Sequence, residues 1–144
     1  MIKTWVIVAE SSRARIFSVS SKNAPLEELE DLANPSAKMH EADLTSDLPG
    51  RNFGSTGSGV KHSMEPKTTP KEQAAINFAK QLAERIEKAR LQNELENLFL
   101  ICPPKFLGEL RTNLSGESQK MVIQSIDKNL IEKNEGEIRQ HLFS

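Results

Sequence analysis

The stretch Leu98-Phe99-Leu100-Ile101-Cys102-Pro103-Pro104 decides how this chain folds. A short, fully apolar run ended by two prolines is the pattern of a central strand covered on both faces. Helical patterns flank it. Upstream, Thr69 suits an N-cap, Pro70 the first helical position and Glu72 the reciprocal position of a capping box. Ala75, Phe78, Ala79, Leu82, Ile86 and Ala89 then form one apolar stripe at helical spacing, which predicts helix to about Gln92. Downstream, Lys105 to Leu114 reads as a short helix with Phe106, Leu107, Leu110 and Leu114 inward, and Gly116 as its breaker.

Further out, Met1 to Ala9 contains the unbroken apolar run Trp5-Val6-Ile7-Val8, again a strand covered on both faces. Glu10-Ser11-Ser12 has turn chemistry, and Arg13 to Ser20 alternates as a hairpin partner. Leu26, Leu29 and Leu32 lie among acidic residues and fit either a third strand with flanking loops or a short helix, ended by Asn34-Pro35-Ser36. Met121 to Asp127 reads as a last strand. Asn134 with Glu137 forms a second capping-box pattern, opening a helix through Ile138, Leu142 and Phe143. Strands first, then helix and strand in alternation, predict an α/β fold, and 144 residues suit one domain spanning residues 1–144.

Composition narrows the function classes. Nineteen Lys and Arg against 20 Asp and Glu exclude a strongly basic nucleic-acid binder, though not a local basic patch. A single cysteine excludes an internal disulfide framework and a multi-cysteine metal site. No apolar run approaches the length of a membrane span, and Trp5 to Ala9 is too short for a signal-peptide core. A cytoplasmic protein is expected, with no cofactor and no resident metal.

The anomaly in the chain is the stretch at about 46–69, which holds Pro49, Gly50, Gly54, Gly57, Gly59 and Pro66 with no hydrophobic periodicity. Long structureless stretches in compact domains are usually functional or disordered. It is not a phosphate loop. Gly54 and Gly59 have the Walker spacing, but Val60 follows, Lys61 falls one position late, and His62 stands where a magnesium-binding hydroxyl belongs. The dinucleotide fingerprint fails as well, since Gly57-Ser58-Gly59 has no third glycine at position 62. His40-Glu41 begins like a zinc-protease motif, but Leu44 replaces the second histidine. His40, His62 and Glu65 are too weakly patterned to assign as ligands. Cys102 reads as a buried, inert thiol. No Gly-x-Ser-x-Gly elbow is present.

Between Ser46 and Lys71 the chain is locally basic. Arg51, Lys61, Lys67 and Lys71 outweigh Asp47 and Glu65, and protonation of His62 adds to the excess. A glycine-rich arm with such side chains can lie along a phosphate backbone. The plainer alternative is a solvated loop with incidental charge.

Several motifs together resemble a known family. Asp47-Leu48-Pro49-Gly50-Arg51-Asn52-Phe53, then Gly57 to Lys61-His62-Ser63-Met64-Glu65-Pro66, is similar to the central signature of the bacterial host attachment protein family. The likeness continues through Arg13-Ala14-Arg15-Ile16-Phe17, Phe78 to Ala83, Pro103 to Arg111 and Ile126 to Leu130, and so covers essentially the whole chain. Two positions depart from the pattern, Leu48 and Lys61, where the family commonly carries arginine. Lysine does not reproduce a bidentate arginine grip. The resemblance implies a mixed sheet flanked by helices, ribonuclease H-like and akin to the middle domain of archaeal and eukaryotic release factors and Pelota. The Gly-Gly-Gln of release factors is absent here, so that catalytic role is not carried over.

Three functions compete on this reading. One is a release-factor-like module that binds ribosome, tRNA or other RNA through Arg51, Phe53, Gly54, Gly57, Gly59, Lys61 and His62. A second is a protein-interaction module contributing to host attachment, with Phe53 in its contact surface. A third is a hydrolase using His62 with Glu65. For Pro103 to Arg111, the functional reading is a helix N-terminus set at a strand's C-terminal end, facing a ligand crevice. The structural reading, which we favour from sequence, is that the prolines stop the strand while Phe106, Leu107 and Leu110 dock the helix, leaving Glu109 and Arg111 as surface charges.

Overall fold

A computed structural model describes residues 3–21, 23–35 and 69–143. Among these, five strands form one sheet: β1 (Thr4–Glu10), β2 (Arg13–Val19), β3 (Glu27–Ala33), β4 (Asn97–Ile101) and β5 (Val122–Ile126). The helices are α1 (Pro70–Leu91), α2 (Pro104–Asn113), the short α3 (Gly116–Lys120) and α4 (Glu135–Phe143). The strand order is β3-β2-β1-β4-β5. β2 runs antiparallel to both β1 and β3, while β4 is parallel to β1 and to β5. Only β2 is therefore reversed. This is the mixed sheet flanked by helices that the resemblance implied.

Both apolar runs occupy the centre. Along β1, Trp5 and Ile7 face one core cluster and Val6 and Val8 the other. β4 divides likewise, with Leu98 and Leu100 on the first face and Phe99 and Ile101 on the second. α1 and α2 cover the first face through Phe78, Leu82, Ile86, Phe106 and Leu110. α4 covers the second through Ile138 and Leu142, with Leu130 and Ile131 beside it. A strand apolar on both pleats can satisfy itself only between two helical layers, which is why these runs sit in the middle.

The capping signals act as expected. The Thr69 side chain accepts from Glu72 N while Glu72 accepts from Thr69 N, each at 3.0 Å, so the box is complete. α1 ends at Leu91, and Asn93 takes a left-handed φ of 60° in place of the usual glycine. Asn134 accepts from Glu137 N at 2.9 Å and caps α4.

One open alternative is settled and one expectation changes. The acidic leucine segment is a strand rather than a helix, because charge pairing compensates its polarity. Asp31, Glu28 and Glu30 are each gripped by an arginine: Arg13 at 2.7 Å, Arg15 at 3.0 Å and Arg85 at 2.8 Å. Gly116 does not break α2. The extended Leu114 already ends it, Ser115 caps the next turn through Ser118 N at 3.0 Å, and Gly116 is the first residue of α3.

Candidate functional site

The sheet order reverses between β1 and β4: from β1 the chain proceeds outward to β2, and from β4 outward to β5 on the other side. In open α/β sheets the crevice beyond the carboxyl ends of the strands at such a switch point is where ligands bind. A crevice of about 550 Å³ lies there. Glu10 and Ser11 at the end of β1 form one wall, and Pro103 after β4 another. Thr69, Lys71, Glu72, Ala75 and Ile76 come from the start of α1, Lys105, Phe106 and Glu109 from α2, and Asn129 from beyond β5. The volume falls in the range of small-molecule pockets.

Its polar groups are mostly held in place. Glu10 accepts from Ser12 Oγ at 2.7 Å and from Ser12 N at 3.1 Å. Lys105 Nζ lies 2.8 Å from Glu72 Oε2 and joins the first turns of α1 and α2. Lys105, together with the backbone N–H of Thr69, holds the Glu72 carboxyl below its ordinary range, and Glu72 raises Lys105 in return. α2 has no side-chain cap and no acidic residue in its first turn. Pro103 to Arg111 therefore combines both sequence readings. Phe106 and Leu110 are buried in the core, while Lys105 and Glu109 line the crevice. Arg111 reaches Ser125 Oγ at 3.3 Å.

Cys102 stands just before this rim but does not line the crevice. It is fully buried, and desolvation pushes its thiol up to about 12, against a smaller opposing effect of a backbone hydrogen bond from Ala9. A nucleophile needs the thiolate, so Cys102 is a packing residue.

The sequence-derived site residues Arg51, Phe53, Gly54, Gly57, Gly59, Lys61 and His62 lie outside the described residues, as do His40 and Glu65. What the structure does describe is the chain on either side of residues 36–68. Before those residues the chain passes through Asn34, which is 7% exposed. Asn34 Nδ2 donates to Ser11 O at 2.9 Å and to Ala74 O at 3.1 Å, and Asn34 N donates to Ser12 O at 2.9 Å. After those residues the chain continues from Thr69, on the crevice wall. Asn34 and Thr69 thus both sit at the carboxyl edge of the sheet. Among the described residues, no group of three His, Cys, Asp or Glu is placed to hold a metal ion, and no helix is long and apolar enough to cross a membrane.

Sequence reading missed Glu10, Asn34 and the Glu72–Lys105 pair as parts of this edge. Asn34 was visible only as a helix or strand breaker beside Pro35. The pairing of Glu72 with Lys105 spans 33 residues and has no local signal.

Comparison with known proteins places the chain. A family model described as "Protein required for attachment to host cells" matches residues 5–142. The chain belongs to this host-attachment family. No curated protein sequence matches it. Among solved structures, the fold is similar to an archaeal translation termination factor, aRF1, with a TM-score of 0.50 at 15% identity. That match covers 85% of this chain and 29% of the termination factor. An archaeal protein gives a TM-score of 0.46 at 15% identity, covering 98% of this chain and 36% of that one. The Aquifex aeolicus Ppx/GppA phosphatase gives 0.39 at 13% identity, covering 88% and 36%. The host-attachment chain therefore spans about a third of the length of each of these proteins. At such identities the likeness concerns fold alone.

Proposed function

We propose that this host-attachment protein is a release-factor-like module that associates with the ribosome or another RNA through its Gly-rich segment at about 46–69. Arg51, Lys61 and His62 would contact phosphate. Gly54, Gly57 and Gly59 would allow close backbone approach, and Phe53 would stack on a base or pack on a partner. The observation that carries this reading is the return of the chain from that segment at Thr69, on the crevice wall at the carboxyl edge of a sheet whose fold is similar to part of a translation termination factor. A basic, glycine-rich stretch of sequence suits contact with a groove lined by phosphates. We assign no catalytic role to any residue.

The test is sedimentation of the native protein from its own cell lysate through sucrose gradients at low and high salt. Migration with ribosomes at low salt and release at high salt is expected, because phosphate contacts weaken steeply as salt rises. A position at the top of the gradient at both salts overturns the reading and leaves the protein-interaction module, to be pursued by pull-down.

A further inference from the structure

We propose that the crevice beyond the carboxyl ends of β1 and β4 binds a small organic cation, an amine carried on an apolar body. The site is built wholly from described residues and stands apart from the RNA contacts proposed above. Its walls divide by chemistry. Ala75, Ile76, Pro103 and Phe106 supply the apolar part, while Glu10 and Glu109 bring carboxylates to it from β1 and α2. A volume of about 550 Å³ admits a small molecule and not a folded partner.

Neither carboxylate has a counter-charge among the described residues. Glu10 is half-buried at the last position of β1. Its two oxygens accept from Ser12 N at 3.1 Å and from Ser12 Oγ at 2.7 Å, both neutral donors. Arg13, the nearest cation in sequence, is taken by Asp31 at 2.7 Å. Glu109 is half-buried as well. Its backbone carbonyl accepts from Asn113 Nδ2 at 2.8 Å, but its carboxylate makes no hydrogen bond or ion pair among the described residues. Lys105, on the same helix, is held by Glu72 at 2.8 Å.

The sign of the ligand follows from these groups. With Lys71 counted, the walls carry three carboxylates against two ammonium groups. An anion would meet that excess. Nor does the start of α2 offer it much, because Pro103 and Pro104 have no N–H to donate. A half-buried carboxylate beside apolar walls gives up solvation that no protein group restores. An ammonium group entering the crevice supplies the missing charge through charge-assisted hydrogen bonds, and an apolar body covers the rest of the wall.

The test is titration of the purified protein with phenethylamine at low salt, followed by NMR of the backbone amides. Saturable shifts are expected at Glu10, Ser11, Ile76, Phe106 and Glu109, with a Kd of about 1 mM or tighter. Two compounds keep the same body and change the charge: 3-phenylpropionate and 2-phenylethanol. Both should bind about tenfold more weakly or not at all. Glu109→Gln and Glu10→Gln should each weaken phenethylamine binding by about tenfold. Glu109→Gln removes no hydrogen bond and decides the matter if Glu10→Gln disturbs the β1–β2 turn. Glu132→Gln, an exposed carboxylate outside the crevice, is the control for lost negative charge and should bind as the wild type does. The absence of saturable shifts with phenethylamine overturns the proposal. So does equal binding of 3-phenylpropionate or 2-phenylethanol, wild-type affinity in Glu109→Gln, or an equal loss in Glu132→Gln. Ribosome sedimentation stands or falls separately from every one of these outcomes.

Discussion

Lys105 bridges to Glu72 at 2.8 Å, tying the first turn of α2 to the first turn of α1 across the mouth of the crevice. Glu72 also accepts from Thr69 N, so one carboxylate closes a capping box and an interhelical ion pair. Its lowered pKa means that the folded state prefers the ionised form. The stability it contributes is full above its unfolded value near 4.5 and is lost as pH falls through the lower folded value. Lys105→Met should flatten the acid limb of a thermal-stability profile between neutral pH and the range below 4.5, read by circular dichroism. An unchanged limb would show that the pair is too solvated to matter.

Glu87 should make a second and steeper acid transition. Its carboxylate accepts from Arg90 at 2.6 Å, from Ser115 Oγ at 2.8 Å and from Ser118 Oγ at 3.0 Å. These bonds, Arg90 first, bring its pKa down from 4.5 to about 2. The stabilisation is therefore present above 4.5 and disappears progressively toward 2. Glu87→Gln should lower the melting temperature at pH 7 and reduce the difference between pH 5 and pH 2.5. A wild-type profile that is flat over that range would refute the assignment.

Arg15 should not tolerate lysine. Its guanidinium makes a two-bond grip on Glu28, at 3.0 Å each, and its NH1 also donates to Ile131 O and Lys133 O at 3.0 and 2.8 Å. The group lies 5.0 Å from the centre of the Phe17 ring. A lysine cannot reproduce a planar fork with several fixed donors. Arg15→Lys should cost about 1–3 kcal/mol in urea unfolding, from the carbonyls and carboxylate left short of partners. A loss below a few tenths of a kcal/mol would mean that water replaces the fork.

Cys102 should be silent toward thiol reagents in the native state. Burial holds it neutral, with a pKa near 12. Ellman's reagent at pH 8 should react with it only upon unfolding, at the unfolding rate. Rapid stoichiometric reaction under native conditions would contradict its burial.

Arg51→Ala with Lys61→Ala should weaken ribosome association and make the salt dependence shallower by roughly two phosphate contacts. Parallel log–log salt plots for wild type and double variant would remove these residues from the proposed interface.

Most of the fold was legible in the order of residues, because its signals are local. The runs at Trp5–Ala9 and Leu98–Cys102 carry apolar side chains on both pleats and leave no place but the centre of a covered sheet. The capping box at Thr69 and Glu72 and the cap at Asn134 are made within one helical turn. The acidic strand β3 was ambiguous because the arginines that neutralise it come from β2 and α1, and Gly116 misled because the helix before it ends through Leu114 backbone geometry.

Sequence by itself determined most of the element types, the two-faced core and the family signature, since each rests on periodicity, caps or motifs read over a few residues. The tertiary structure alone decided which strands are neighbours, where β1 and β4 diverge, and that Glu10, Asn34, Glu72 and Lys105 meet at one edge. Those relations join residues tens of positions apart, and their energies arise from hydrogen bonds and ion pairs that exist only once the sheet has brought its carboxyl ends together.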